Sequence, residues 1–264
     1  MILLARNLLL ILFFTVLATG ADLEASPKNR CRVSFPSDSS IDWFCYQIKQ
    51  NETAESLFGK HWENVLRFNR IDRNHLRPGK YIKVPNDLKS VVDFNPMPLK
   101  LDRAKDYRKY VLIDLSEQFL GAYDYGELTL SLPVATGTPG HGTPKGLFKV
   151  WGRERWHRST KYTISGTGIL YPMYWGIWFH TSKNWVRFWI HSRDMPGQPA
   201  SHGCVGLYDE EMQKKFYKRP DSPELMDSKK LYLWLFPDGL KDDVPGSKLT
   251  EYPEGLQGAL IEIK

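Results

Sequence analysis

Residues 190–207 read IHSRDMPGQPASHGCVGL, with Cys204 near the end, His202 two positions before it and His191 thirteen before it. The other cysteines, Cys31 and Cys45, lie far upstream. A thiol attacks as the thiolate, and a free one has a pKa of about 8.5, so it needs a base or a positive field beside it. A cysteine next to a histidine that a third group orients is the usual arrangement for acyl transfer. Gly203 permits a tight turn, and the amides of Gly203 and Cys204 are candidates to face one oxyanion. His191, His202 and Cys204 are also metal-ligand types, but a structural zinc site takes four ligands and no further Cys or His pair lies at short spacing. No metal is expected.

The order of these residues (a histidine, a spacer with Pro196 and Gly197, then Ser201-His202-Gly203-Cys204-Val205) resembles the active-site signature of the L,D-transpeptidases, the YkuD-type cysteine enzymes of bacterial cell-wall synthesis. The resemblance implies roles. Cys204 is the nucleophile, His191 the general base, and the Ser192 carbonyl orients the second ring nitrogen of His191. Ser201 braces the turn. His202 is either a supporting residue or a satisfied structural histidine. Position 206 departs from the pattern: it is glycine where relatives place a long polar side chain, so Arg193 or Arg187 is expected to substitute in holding the cleft or substrate.

Outward from this stretch the chain reads mainly as strands. Val111, Ile113 and Leu115 alternate with other residues, and Asp124–Glu127, with Gly126, turns the chain into Leu128, Leu130 and Leu132. The loop TGTPGHGTPKG precedes a strand at 147–150. Both stretches resemble the sheet and opening loop of a YkuD domain, and His141 in that loop reads as a surface histidine. Residues 151–189 are rich in Trp, Tyr and Phe and read mostly as sandwich core. By resemblance, Tyr171, Tyr174 and Trp175 around Pro172 form a lid against the substrate. Asp209 is placed to cap a helix over 210–217, and 231–236 reads as the last strand. The expected fold is mainly β, a YkuD-like β-sandwich over 107–236 with a few short helices and an unassigned extension over 237–264.

Upstream, Tyr46 and Ile48, a first helix capped by Thr53, a second helical stripe (Trp62, Val65, Leu66, Asn69), the Pro78-Gly79 turn and the strand 81–84 give β-α-α-β. Over 45–86 this order resembles a LysM module, which implies peptidoglycan binding through the loops 51–53 (Asn51, Glu52, Thr53) and 72–76. It departs at Asn51 and Ala54. Residues 87–106, with Pro96 and Pro98, read as a linker.

Residues 1–20 carry Arg6 ahead of the apolar run 8–17 and small residues around Ala18 and Gly20, the pattern of a secretory signal peptide, with an uncleaved anchor as its rival. Export makes a Cys31–Cys45 disulfide the expected pairing, with Cys204 the odd thiol. The formal net charge of +6 comes from scattered Lys and Arg with no basic block, which gives no case for nucleic acid. The resulting expectation is an exported periplasmic or wall enzyme that forms a Cys204 thioester on a peptidoglycan stem peptide, releases D-alanine and needs no cofactor. Its partners are stem peptides, glycan strands or a wall-anchored protein as acceptor, and its membrane contact is limited to the leader. The rivals are an L,D-carboxypeptidase or endopeptidase using water, and a silent peptidoglycan-binding protein.

Overall fold

A computed structural model describes residues 23–37, 40–242, 250–252 and 259–264; the leader 1–20 lies outside them. None of the described helices is long and apolar enough to cross a membrane.

The N-terminal unit has the β-α-α-β order read from the sequence. Strand β1 (Trp43–Gln47) pairs antiparallel with β2 (Tyr81–Pro85), and between them lie α1 (Ala54–Phe58) and α2 (Trp62–Asn69). Thr53 starts α1 with a reciprocal capping box: its hydroxyl accepts from the Ser56 amide and the Ser56 hydroxyl accepts from the Thr53 amide. Cys31 and Cys45 are disulfide-bonded, which fastens the preceding segment to β1.

The larger part contains β3 (Lys109–Asp114), β4 (Phe119–Asp124), β5 (Glu127–Pro133), β6 (Gly146–Lys149), β7 (Gly152–Glu154), β8 (Arg158–Thr163), β9 (Leu170–Pro172), β10 (Gly176–Thr181), β11 (Arg187–Ser192) and β12 (Val205–Leu207). Helices α3 (Glu210–Tyr217) and α4 (Asp227–Leu235) follow, then β13 (Thr250–Glu251) and β14 (Ala259–Ile263). One five-stranded sheet has the order β5-β4-β3-β14-β6, the other β12-β11-β10-β7-β13, and β8-β9 form a separate ribbon. Inward residues of both sheets (Val111, Ile113, Leu120 and Ala122; Ile177, Phe179, Ile190, Val205 and Leu207) share one core with Leu231, Tyr232 and Leu235 of α4. The fold is mainly β with a few short helices, as expected.

Three readings of the sequence change. Residues 231–236 are not a strand: buried Asp227, Ser228, Leu231, Tyr232 and Leu235 recur at helical spacing, and the apolar run LYLWL is the end of α4. The 237–264 stretch is not an appendage to a domain ending at 236, because β14 lies in the middle of the first sheet, parallel to β3 and antiparallel to β6. Nor is 87–106 a free linker. Met97, Leu101 and Ala104 are buried against Tyr110, Leu112, Phe119 and Tyr123.

The N-terminal unit is built onto the larger part. Its core (Val65, Leu66, Phe68, Ile71, Ile82) continues into Ala135, Met195, Tyr208 and Leu225. Buried ion pairs cross the same seam. Arg67 holds Asp227 through two hydrogen bonds of 2.7 Å, Arg73 pairs with Glu210, and Arg70 pairs with Glu117. The Asp72 carboxylate accepts from the amide of Met195 and the side-chain amide of Gln213, both at 2.7 Å.

Candidate active site

Strands β11 and β12 are parallel neighbours with His191 opposite Gly206. Side chains alternate along a strand, so Trp189 and His191 share one face of β11, with Arg193 just past its end. Gly206 lies on that face of β12, and Cys204, two residues earlier at the strand entrance, is a diagonal neighbour of His191. The spacing of thirteen thus becomes a short step across one strand pair.

His191 is 2% exposed. Its Nδ1 lies 2.6 Å from the Ser192 carbonyl oxygen, which only accepts, so Nδ1 carries the proton and donates. Nε2 is then the basic nitrogen. Burial, and next the positive charge of Arg193, push the ring's pKa down to about 3, with the Ser192 hydrogen bond opposing. The imidazole is therefore neutral across the whole ordinary pH range. The Cys204 thiol is free, and burial raises its pKa, opposed by a backbone hydrogen bond from Trp189 and by the Arg193 charge. Among the described residues, ring and thiol show no hydrogen bond to each other. The resting pair is a neutral acid beside a neutral base, and the thiolate forms together with attack.

The turn before Cys204 is fixed by Ser201. Its hydroxyl accepts from the Gly203 amide at 3.0 Å and donates to the Cys204 carbonyl at 2.5 Å. The Gly203 amide is thereby spent, which corrects the expectation of two oxyanion donors: of the pair, the Cys204 amide alone has no internal acceptor among the described residues. Gly203 sits at φ +113, and a Cβ there would lie 2.4 Å from the Phe188 ring, so both conformation and space require glycine. The opening loop holds the turn from the other side. The Thr136 carbonyl accepts from the Ala200 and Ser201 amides, and the Thr138 amide donates to the Ser201 carbonyl.

Residues 108–229 match the family model described as the L,D-transpeptidase catalytic domain, YkuD. Over those residues the chain is similar to a YkuD catalytic domain. Among solved structures, an L,D-transpeptidase from Mycobacterium smegmatis is 17% identical (60% of this chain and 59% of that chain covered, TM-score 0.37). L,D-transpeptidase 1 of Mycobacterium tuberculosis is 17% identical (60% and 62%, TM-score 0.36). The L,D-transpeptidase of Xylanimonas cellulosilytica is 18% identical (76% and 77%, TM-score 0.41). The chain spans about three fifths of the length of the two mycobacterial structures. No curated protein matches it.

The glycine at 206 has a local reason. A Cβ there would lie 2.4 Å from Cδ and 2.5 Å from Cβ of Arg193, so the Arg193 side chain occupies the space a residue at 206 would need. Its Nη2 donates to the Ala200 carbonyl, its guanidinium faces the Tyr171 ring at 5.7 Å, and its Nε is buried with no hydrogen-bond partner among the described residues. Arg187 stands elsewhere, paired with Glu251 and over Trp178.

The expected lid residues fall differently. Tyr174 and Trp175 are 3% exposed core residues. Tyr171 donates to the Asp194 carboxylate at 2.9 Å, which Tyr217 also reaches at 2.8 Å. The ring laid over the motif is Tyr162 of β8, stacked on exposed His202 at 4.4 Å, with His141 edge-on to the same imidazole at 4.8 Å. His141 is on the surface, as read, and also adjoins the site. Tyr162 was missed; its mark is a lone aromatic in a polar strand, RSTKYT. His202 is no core histidine, and its pKa is lowered by partial desolvation and then by His141, Arg193 and Lys161.

In the N-terminal unit, Asn51 takes a left-handed φ of 65°, Glu52 accepts from the Tyr46 hydroxyl and the Lys49 amide, and Thr53 is the helix cap. Asp72 faces Met195 and Gln213 of the larger part rather than solvent. Among the described residues no group of three His, Cys, Asp or Glu side chains is arranged to hold a metal.

Proposed function

We propose that the protein is an exported L,D-transpeptidase acting on peptidoglycan through a Cys204 thioester. The observation that carries this reading is His191: buried, neutral, its Nδ1–H fixed on the Ser192 carbonyl, so that Nε2 is a free base on the face shared with the only free thiol. As Sγ attacks the carbonyl carbon of the diamino-acid residue, its proton passes to Nε2. The Cys204 amide donates to the oxyanion, a contribution of order 2.7–4 kcal/mol for one such donor. Collapse breaks the C–N bond, the imidazolium returns its proton to the leaving amine, and D-alanine departs. An acceptor amine then attacks the thioester, loses its proton to His191 and regenerates the thiol. Arg193, lying across Gly206 with a spare buried Nε–H, is suited to the carboxylate or carbonyls of the bound stem, with Tyr171 beside it.

The LysM-like unit serves as a buttress: Asp72 holds Met195 and Gln213, and Gln213 in turn reaches Asp194. Any glycan contact by this unit is confined to the 51–53 rim, because the 72–76 loop packs on the YkuD domain. Incubating the purified chain with tetrapeptide muropeptides and resolving products by mass tests the reading. Cross-linked dimers with released D-alanine are expected. Shortened monomers would mean water is the acceptor, and unchanged muropeptides would contradict an acyl-transfer enzyme.

A further inference from the structure

A second site lies on the seam between the N-terminal unit and the motif loop. A cavity of about 290 Å³ is lined on one side by Arg30 and Arg32, which flank the disulfide-bonded Cys31, on another by Lys80 and Lys83, and at its edge by Gly197 and Gln198 of the loop leading to Cys204. Among the described residues none of the four cations is ion-paired, and no carboxylate lines the cavity.

The lysines are held in place by neutral oxygens. Lys83 Nζ donates to the Val33 and Phe35 carbonyls at 2.8 and 2.7 Å, and Lys80 Nζ donates to the Pro196 carbonyl at 2.9 Å. Carbonyls orient an ammonium but do not neutralise it. Burial accordingly lowers both lysines, Lys83 to about 8 with Arg70 adding to the effect. The nearest carboxylates are committed elsewhere. Asp72 serves His75, Met195 and Gln213, and Glu117 serves Arg70 and Ser37. Four cationic side chains and no carboxylate line the cavity, and a bound anion offsets the desolvation of the two lysines. Arg30 and Arg32 are exposed at the cavity, where an entering anion can reach their guanidinium groups.

We propose that this cavity is an anion site that takes a carboxylate or phosphate group of the polymer presented to Cys204. Gln198 precedes Cys204 by six residues, a reach of at most about 20 Å along an extended chain, so one strand of substrate can engage both places. The anion site itself does not depend on the acyl-transfer reading, whereas its assignment to the wall polymer rests on it.

Calorimetric titration of the full chain at low salt tests the site with two probes, inorganic phosphate and a free stem tripeptide carrying two carboxylates. Saturable binding of either is expected, weakened at least tenfold in the Arg30→Gln/Arg32→Gln double variant and screened by added salt. Which probe binds tells a phosphate source from a carboxylate source. Binding of neither probe, or equal binding by the double variant, would overturn the site. Separate mass-resolved acylation of wild-type Cys204 reports on the acyl-transfer reading, so the two can fail independently.

Discussion

At the residue scale the site is a neutral pair, and this has consequences for pH. His191 has a folded pKa near 3 against an ordinary value of 6.5, so it stays an unprotonated base well below neutrality. Acylation of Cys204 by a carbapenem is therefore expected to show no loss with a midpoint near 6.5 as the pH falls from 7 to 5; such a midpoint in the rate profile would contradict a buried neutral base. The same shift bears on stability. The unfolded chain takes up a proton at His191 below about 6.5 and the folded one only near 3, so stability is lost as pH falls through that window, on the order of 4–5 kcal/mol when complete. Buried Asp209, raised to about 7, acts oppositely: its contribution is full below about 4 and is lost as pH rises toward 7. The two offset each other in wild type, and His191→Gln isolates the first. Its melting temperature should fall less than that of wild type between pH 7 and 4.

Gly206 carries a second residue-level prediction. Gly206→Ala places a methyl group inside the Arg193 side chain, and overpacking of this kind costs about 1–3 kcal/mol. Denaturant titration should show that loss together with slower Cys204 acylation, because the displaced guanidinium no longer sits between the Tyr171 ring and the motif loop. A variant as stable and as reactive as wild type would mean that Arg193 has no role.

At the element scale, the seam depends on α2 reaching α4. Asp227, at the first turn of α4, is fully buried, and Arg67 meets it bidentately. Removing one member of a buried pair strands the other, at a cost of about 3–5 kcal/mol. Arg67→Ala should lose that much in urea titration, whereas Lys229→Ala, on an exposed pair with Glu211, should change stability by less than about 1 kcal/mol. The strands β3 to β5 were legible because apolar residues alternate between polar turns. The capped helices α1 and α3 were legible from Thr53 and Asp209. Helix α4 was not, because LYLWLF is apolar on every side and period alone does not separate a buried strand from a buried helix. Strand β14 was not, because its partners lie more than a hundred residues away and nothing local marks a central strand after a Gly- and Pro-rich stretch. In the site, Cys204, His191 and the Ser192 carbonyl followed from the motif. The spent Gly203 amide and the Tyr162–His202 stack did not, since both depend on a third partner that spacing does not reveal.

At the scale of the whole molecule, the N-terminal unit and the larger part share buried apolar residues and buried ion pairs, so they are expected to unfold together. Calorimetry should give one transition, and two separable ones would contradict a shared core. Reducing the Cys31–Cys45 bond, which closes a loop of about 15 residues, should lower that single transition by about 3 kcal/mol of stability. The seam also joins the cationic cavity to the motif loop, so that both possible points of polymer contact sit on one body.

The central claim, that Cys204 is a nucleophile served by His191, is tested most directly by intact-mass spectrometry of the chain after exposure to a carbapenem. A single covalent adduct is expected on wild type, none on Cys204→Ala, and formation slowed at least a hundredfold on His191→Ala. An adduct that persists in Cys204→Ala, or an unmodified wild-type chain, would contradict it.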